Sequence, residues 1–91
     1  MVAIMLKTNL KKNDMIRNLL FHFNFVLESA IDCFNRFGSD SHSYQDLESK
    51  LLDSLRVLHC VSLISDDEYD LISDNIIYQR YSNICPFDIE F

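Results

Sequence analysis

One glycine and one proline in 91 residues leave this chain few places where a helix has to stop. They stand at Gly38 and Pro86. Because these two residue types are the strongest interruptions of helical structure, long helices are the first expectation. Apolar residues make up 48% of the chain, which is enough for one core and too many for a disordered segment. We therefore predict a single all-α domain over residues 1–91.

The segment that ends at Gly38 has the pattern of a central helix over residues 14–37. Asn13 is a candidate N-cap, Asp14 complements the helix dipole, and a glycine is the typical residue after a helix end. Apolar residues recur every three or four positions along the segment. Three further phenylalanines widen the apolar stripe to most of the circumference: Phe21, Phe25 and Phe37. A helix of this kind is packed on several sides, by neighbouring helices or by a second copy of the chain.

Two shorter helices are predicted after the loop at residues 38–43. Leucines spaced by three or four residues indicate a helix over 44–62, with Ser43 as its N-cap. The sequence Ser-Asp-Asp-Glu at 65–68 is a capping box, in which the first and fourth residues bond each other's backbone. It predicts a third helix over 66–81. The fold is thus a small bundle of three main helices.

The two ends of the chain have different patterns. Residues 87–91 alternate apolar and acidic side chains with the period of an extended segment. We expect this C-terminal tail to lie across the bundle and to bury Phe87, Ile89 and Phe91. Residues 2–6 are compatible with an extended segment, and residues 8–12 with a short helix or an extension of the first helix.

Charge is distributed unevenly along the chain. The net charge of −6 divides into +2 for residues 1–39 (five basic, three acidic) and −8 for residues 40–91 (three basic, eleven acidic). A negative field repels phosphate backbones and attracts a basic protein surface, so we expect a basic protein partner and no nucleic acid. A basic patch near the N-terminus leaves two interpretations open, nucleic-acid contact or pairing with the acidic half: Lys7, Lys11, Lys12 and Arg17.

Most of the acidic excess is concentrated in residues 65–74. Asp66, Asp67 and Glu68 lie in the first turn of the predicted helix, where the helix dipole stabilises negative charge, and this stabilisation is sufficient to explain all three. At 100° per residue, five side chains share the outer side of that helix: Asp67, Asp70, Asp74, Tyr78 and Tyr81. This strip has two interpretations. It is a solvated helix face, or it is an interface in which aromatic anchors and acidic neighbours bind a basic partner.

No catalytic, metal or cofactor motif is present. The chain has no glycine-rich phosphate loop, no nucleophile elbow and no zinc-protease motif. The acidic stretch lacks the glycine and the loop of an EF-hand, and the histidines and cysteines lack the paired spacing of zinc ligands. We expect a protein that is not an enzyme and needs no metal or cofactor. Three scattered cysteines and no membrane-spanning stretch predict a cytoplasmic protein.

The acidic helical build and the stretch LISDDEYDLISDNI, residues 63–76, resemble the immunity proteins that protect bacteria from nuclease toxins of the colicin and contact-dependent inhibition type. The resemblance covers the last third of the chain. It implies that an acidic helix face covers the basic substrate-binding surface of a toxin. Asp67, Asp70 and Asp74 would steer association, and Tyr78 and Tyr81 would anchor it. Phage-encoded inhibitors of host defence proteins share this build and this mechanism.

A second class of function follows from the first helix. A chain of 91 residues has little other structure with which to cover phenylalanines on every side of that helix. Exposed apolar patches normally mark an interface. The alternative is therefore a self-associating structural or regulatory module, a homodimer through helix one, whose acidic strip only keeps it soluble.

Overall fold

The computed structural model describes residues 2–89, with the side chains of residues 14–89. Three α-helices and a 3₁₀ turn follow one another: α1 over Val2–Phe37, α2 over His42–Cys60, α3 over Asp66–Ile77, and the turn over Tyr81–Asn83. No residue of the described chain lies in a β-strand. The predicted all-α fold with three main helices is confirmed.

The first helix begins earlier than predicted. It runs without a break from Val2 through Asn13, so the predicted start at Asp14 is too late. Residues 8–12 belong to the first helix, which was one of the two alternatives for them, and residues 2–6 are helical instead of extended. Residues 2–13 contain no glycine or proline that would interrupt a helix. The helix extends through them because adding a residue to an existing helix is much easier than starting a new helix. Asp14 forms an ion pair with Arg17 one turn later. The side chains of the basic patch at Lys7, Lys11 and Lys12 lie outside the described residues.

The C-terminal stop of α1 is the predicted one. Gly38 has a φ of 80° and its N–H donates to the carbonyl oxygen of Phe34 at 2.9 Å. This left-handed conformation costs little for glycine because it has no Cβ. The turn sends α2 back along α1, and the rings of Phe34 and Tyr44 meet with their centroids 5.4 Å apart.

The N-cap of α2 is Ser41, two residues before the predicted Ser43. Its hydroxyl accepts a hydrogen bond from the N–H of Tyr44 at 3.0 Å. Ser41 has the extended backbone of a capping residue, with a ψ of 143°. The helix is therefore displaced by two residues from the predicted range 44–62.

A residue with positive φ that is not glycine lies two positions after the end of each of the last two helices. Ser62 has a φ of 64° and Gln79 a φ of 54°. In each case the next residue donates a backbone hydrogen bond to the carbonyl oxygen five residues earlier, which closes the helix end. The N–H of Leu63 donates to the Leu58 oxygen at 2.9 Å, and the N–H of Arg80 donates to the Asn75 oxygen at 2.7 Å. Because of this second turn α3 ends at Ile77, and the prediction that it continues to residue 81 is wrong.

The core lies between α1 and α2 and is closed on one side by α3 and the C-terminal tail. The buried apolar side chains come from every element: Phe23, Val26, Leu27, Ala30, Cys33, Tyr44, Leu51, Leu55, Leu58, Ile64, Ile76, Tyr81 and Ile84. Their spacing in the helices is the three-and-four pattern read from the sequence.

The Asn24 side chain of α1 is hydrogen-bonded to the C-terminal tail. The amide of Asn24 donates to the Phe87 carbonyl at 2.9 Å and accepts from the Phe87 N–H at 2.9 Å. The Phe87 ring packs edge-on against Phe23, with centroids 5.2 Å apart. The tail therefore lies across the bundle at Phe87, as predicted. The predicted burial of Phe91 lies outside the described residues.

Candidate functional site

Two of the acidic residues of α3 are used to start the helix. The capping box is complete, because the Glu68 N–H donates to the Ser65 hydroxyl at 3.1 Å and the Ser65 N–H donates to the Glu68 carboxylate at 3.0 Å. These hydrogen bonds lower the pKa of Glu68. Asp66 contacts His59 of α2, with 2.5 Å between the carboxylate oxygen and Nε2. Both residues thus serve the fold.

Three other aspartates face away from the bundle. Asp67, Asp70 and Asp74 are all exposed, and α3 contains no basic residue. None of the three forms an ion pair within the part of the chain whose side chains are described. They lie along about 10 Å of helix, given 1.5 Å per residue. Like charges at this spacing add to one another's potential, so the face attracts cations.

Other aspartates of the described chain are neutralised by an arginine. Three of them pair with an arginine one turn later on the same helix: Asp14 with Arg17, Asp32 with Arg36, and Asp53 with Arg56. Arg80 is the first basic residue after α3 in the sequence, and its guanidinium lies 5.2 Å from the centroid of the Tyr78 ring. The arrangement on α3 therefore differs from that on α1 and α2.

Tyr81 does not belong to this exposed face, and its predicted place in the strip is wrong. Only 8% of its surface is exposed. Because α3 stops at Ile77, the chain turns inward and carries Tyr81 into the core. Its hydroxyl oxygen lies 2.5 Å from that of Tyr44. Burial raises the pKa of Tyr81 and of Tyr44, because a phenolate would lose its hydration.

The direction of this hydrogen-bond chain follows from its last acceptor. The Tyr44 hydroxyl donates to a Glu48 carboxylate oxygen at 3.0 Å. A hydroxyl has one proton to donate. Tyr44 must therefore accept from Tyr81, and the chain runs from Tyr81 through Tyr44 to Glu48. These groups join the end of α3 to the start of α2, so Tyr81 is structural.

Leu71 takes the place on the outer face that Tyr81 was predicted to fill. It is 65% exposed, and Tyr78 is 66% exposed. Leu71 and Tyr78 are seven residues apart, two turns of one helix face. The helical spacing that defines the strip also places Leu71 there, among the acidic and aromatic side chains. We call the set Asp67, Asp70, Leu71, Asp74 and Tyr78 the outer face of α3.

The chemistry of the outer face is that of a binding surface. Carboxylates supply charge, and the two apolar side chains supply area to bury, but no nucleophile and base lie together there. No group of three or more histidine, cysteine, aspartate or glutamate side chains among residues 14–89 is arranged to hold a metal ion. Within the same described part of the chain, no helix has the length and apolar character needed to cross a membrane.

Comparison of the chain with family models, with curated proteins and with solved structures finds no significant match to any of them.

Proposed function

We propose that this chain is a non-catalytic antagonist that binds a basic protein surface through the outer face of α3. The observation that carries the proposal is the combination on one helix face of three exposed aspartates, which have no cation partner among the described residues, with two exposed apolar side chains. Leu71 is 65% exposed and Tyr78 is 66% exposed, and the Tyr78 ring also contacts the Arg80 guanidinium. Large apolar side chains surrounded by charge are typical of interface anchors.

The partner class follows from the charge of the face. A surface that binds nucleic acid carries lysine and arginine where phosphates would lie. The three carboxylates of α3 extend over about 10 Å and present to such a surface an array of negative charge similar to that of phosphates. A protein bound there excludes the nucleic acid. The function we propose is therefore that of an immunity protein for a nuclease-type toxin. Inhibition of a basic host defence protein by a phage-encoded antagonist would use the same face.

The two kinds of residue have separate tasks in this mechanism. Asp67, Asp70 and Asp74 speed the encounter and select a basic partner, because opposite charges steer association over distances of about 8 Å at physiological salt. Leu71 and Tyr78 lose their exposed area on binding and slow dissociation. Charge reversal should then reduce the association rate, whereas removal of the anchors should raise the dissociation rate.

The test is capture of partners from a cell that carries candidate toxins, with three immobilised forms of the full chain. These are the wild type, the pair Asp70→Lys with Asp74→Lys, and a control pair, Asp40→Lys with Asp46→Lys. The control changes net charge by the same amount at exposed acidic residues outside α3. Circular dichroism verifies that all three forms are helical. A captured protein is then purified, and its nuclease activity is measured with each form.

The expected result is a basic protein bound and inhibited by the wild type and the control pair, with affinity reduced at least about 100-fold by the α3 pair. Affinity should also fall as salt is raised. Equal loss in both charge variants would mean that net charge alone drives association. Inhibition that survives reversal at Asp70 and Asp74 would refute the assignment to α3.

A further inference from the structure

A hollow of about 360 Å³ lies between α1 and α2. Two residues of α1 and four of α2 line it: Leu19, His22, Lys50, Asp53, Ser54 and Val57. None of them belongs to the outer face of α3, so the proposed function makes no use of this hollow. Concave sites of this size that combine apolar walls with a few polar groups are where proteins usually bind small molecules.

A serine in the buried stripe of α2 leaves room for the hollow. The other buried residues of this helix are all large: Tyr44, Leu51, Leu55 and Leu58. Ser54 is only 8% exposed, and its hydroxyl forms no hydrogen bond within the described part of the chain. No polar side-chain atom of residues 14–89 is fully enclosed without a partner, so the hydroxyl opens into the hollow. It offers a ligand one donor and an acceptor.

Lys50 adds a positive charge that no carboxylate among the described residues neutralises. The arginines of the same region each have a partner, which is an aspartate for three of them and the Tyr78 ring for the fourth: Arg17, Arg36, Arg56 and Arg80. Two aspartates lie within one turn of Lys50 on α2, but Asp46 forms no ion pair with it, and Asp53 pairs with Arg56 at 3.3 Å. Asp53 is thus neutralised although it lines the hollow, and the ammonium of Lys50 remains available to an anion.

The polar and apolar groups lie at opposite ends of the hollow. Along α2, Lys50 and Ser54 are one turn apart and Val57 follows in the next turn. Because α1 runs antiparallel to α2, Leu19 lies towards the end that holds Val57, and His22 lies towards the end that holds Lys50. One end therefore offers an ammonium, a hydroxyl and an imidazole, and the other end offers aliphatic side chains.

Exposed apolar side chains continue the apolar end beyond the hollow. Met15 is one turn before Leu19 on α1 and is 54% exposed, and Val61 is one turn after Val57 and is 46% exposed. In the antiparallel pair these two steps run in the same direction. The apolar surface therefore extends about 10 Å from Ser54 to Val61, at 1.5 Å per residue. We call this surface and the hollow together the α1–α2 groove.

We infer that the α1–α2 groove binds a small amphipathic anion, a carboxylate on an unbranched alkyl chain. The carboxylate lies between the Lys50 ammonium and the Ser54 hydroxyl, and both donate hydrogen bonds to it. The imidazole of His22 supplies a further N–H donor at the same end. The alkyl chain lies along Val57 and Leu19 and removes their exposed apolar surface from water.

The charge of the groove selects this class of molecule. A neutral head group would leave Lys50 unpaired, and a cationic head group would be repelled by it. A phosphate group carries about −1.5 to −2 charges, for which one lysine is too few in a protein of net charge −6. One ammonium and one hydroxyl match a single carboxylate. This inference does not depend on the proposed function, because the two sites share no residue.

The test is titration of the full-length chain with octanoate, followed by the backbone amide signals in NMR spectra. Saturable shifts should appear at the residues that line the hollow. The stoichiometry should be one octanoate per chain, with a Kd of about 0.1–1 mM for a ligand of this size. Octanol has the same alkyl chain without the charge, and it should bind at least about fivefold more weakly.

A charge variant tests the contact with the carboxylate. Lys50→Met keeps an unbranched side chain and should weaken octanoate at least about fivefold, while octanol binding stays unchanged because octanol has no carboxylate. The matched control is Arg80→Met, which removes the same charge outside the hollow and should change the Kd of octanoate less than about twofold. Equal effects of the two variants would mean that net charge alone attracts octanoate, which would overturn the inference.

Two substitutions of Ser54 distinguish a binding site from a packing defect. Ser54→Leu fills the hollow, so it should abolish the binding of both probes and raise Tm through the added buried apolar surface. Ser54→Ala keeps the hollow and should weaken octanoate about threefold through loss of the hydroxyl. Circular dichroism verifies that each variant is helical. A wild type without saturable shifts, or binding that survives Ser54→Leu in a folded chain, would overturn the inference. The proposed function is read separately, because Ser54→Leu should leave partner capture unchanged.

Discussion

Removal of one hydroxyl from the chain Tyr81–Tyr44–Glu48 tests how the end of α3 is held. The two substitutions Tyr81→Phe and Tyr44→Phe each delete a single oxygen and keep the packed ring. They are not equivalent, because Tyr81 is the first donor and Tyr44 both accepts from Tyr81 and donates to Glu48. The structure therefore predicts different losses of stability for two chemically identical changes.

The magnitudes follow from the groups left without partners. Tyr81→Phe removes one hydrogen bond but leaves Tyr44 donating to Glu48, so the free energy of unfolding should fall by about 1 kcal/mol. Tyr44→Phe removes two hydrogen bonds and leaves the buried Tyr81 hydroxyl without its acceptor, so the loss should be about 2–3 kcal/mol. In a domain of this size 1 kcal/mol corresponds to about 4–8 °C in Tm.

Denaturant unfolding followed by circular dichroism measures these differences, provided that the m-value is unchanged. The double variant should cost about 1 kcal/mol less than the sum of the single variants, because it removes the hydroxyl that Tyr44→Phe leaves unpaired. Tyr78→Phe is the matched control. Its ring is exposed, so its effect should stay within about 0.5 kcal/mol. Equal losses for Tyr44→Phe and Tyr81→Phe, or strictly additive ones, would refute the direction assigned to the hydrogen-bond chain.

Three further predictions concern backbone and titration. Ser62→Gly should raise the free energy of unfolding by about 0.5–1 kcal/mol, measured by the same unfolding assay, since glycine adopts the φ of 64° without strain. Asn24→Ala should cost about 1–3 kcal/mol and speed hydrogen exchange at the Phe87 amide, because both backbone groups of Phe87 lose their partner. Stability should fall as pH rises above about 10: the pKa values of Tyr44 and Tyr81 are raised in the folded state, so their contribution is complete below the unfolded pKa and is lost above it. Unfolding curves measured from about pH 8 to pH 11 should show a shallower decline for Tyr81→Phe than for the wild type.

Local sequence signals determine several helix ends and the buried face of each helix without any tertiary contact. Gly38 ends α1 because only the glycine adopts that turn without strain, and the Ser65–Glu68 box starts α3 because its hydrogen bonds lie within one turn. The periodicity of apolar residues identified the core faces, and the same spacing places Asp67, Asp70, Asp74 and Tyr78 outside. Each of these features depends on residues within a few positions of one another, so a single sequence contains the information.

Only the tertiary structure decided where α3 stops and what Tyr81 does. Gln79 adopts a positive φ without being glycine, a conformation that local sequence disfavours. The turn carries Tyr81 to Tyr44, a residue 37 positions earlier in the chain. In the same way, Asn24 contacts Phe87 across 63 positions. The residues next to these positions in the sequence do not predict such contacts. The free energy that favours the turn comes from burial and hydrogen bonds that form only when distant helices pack together.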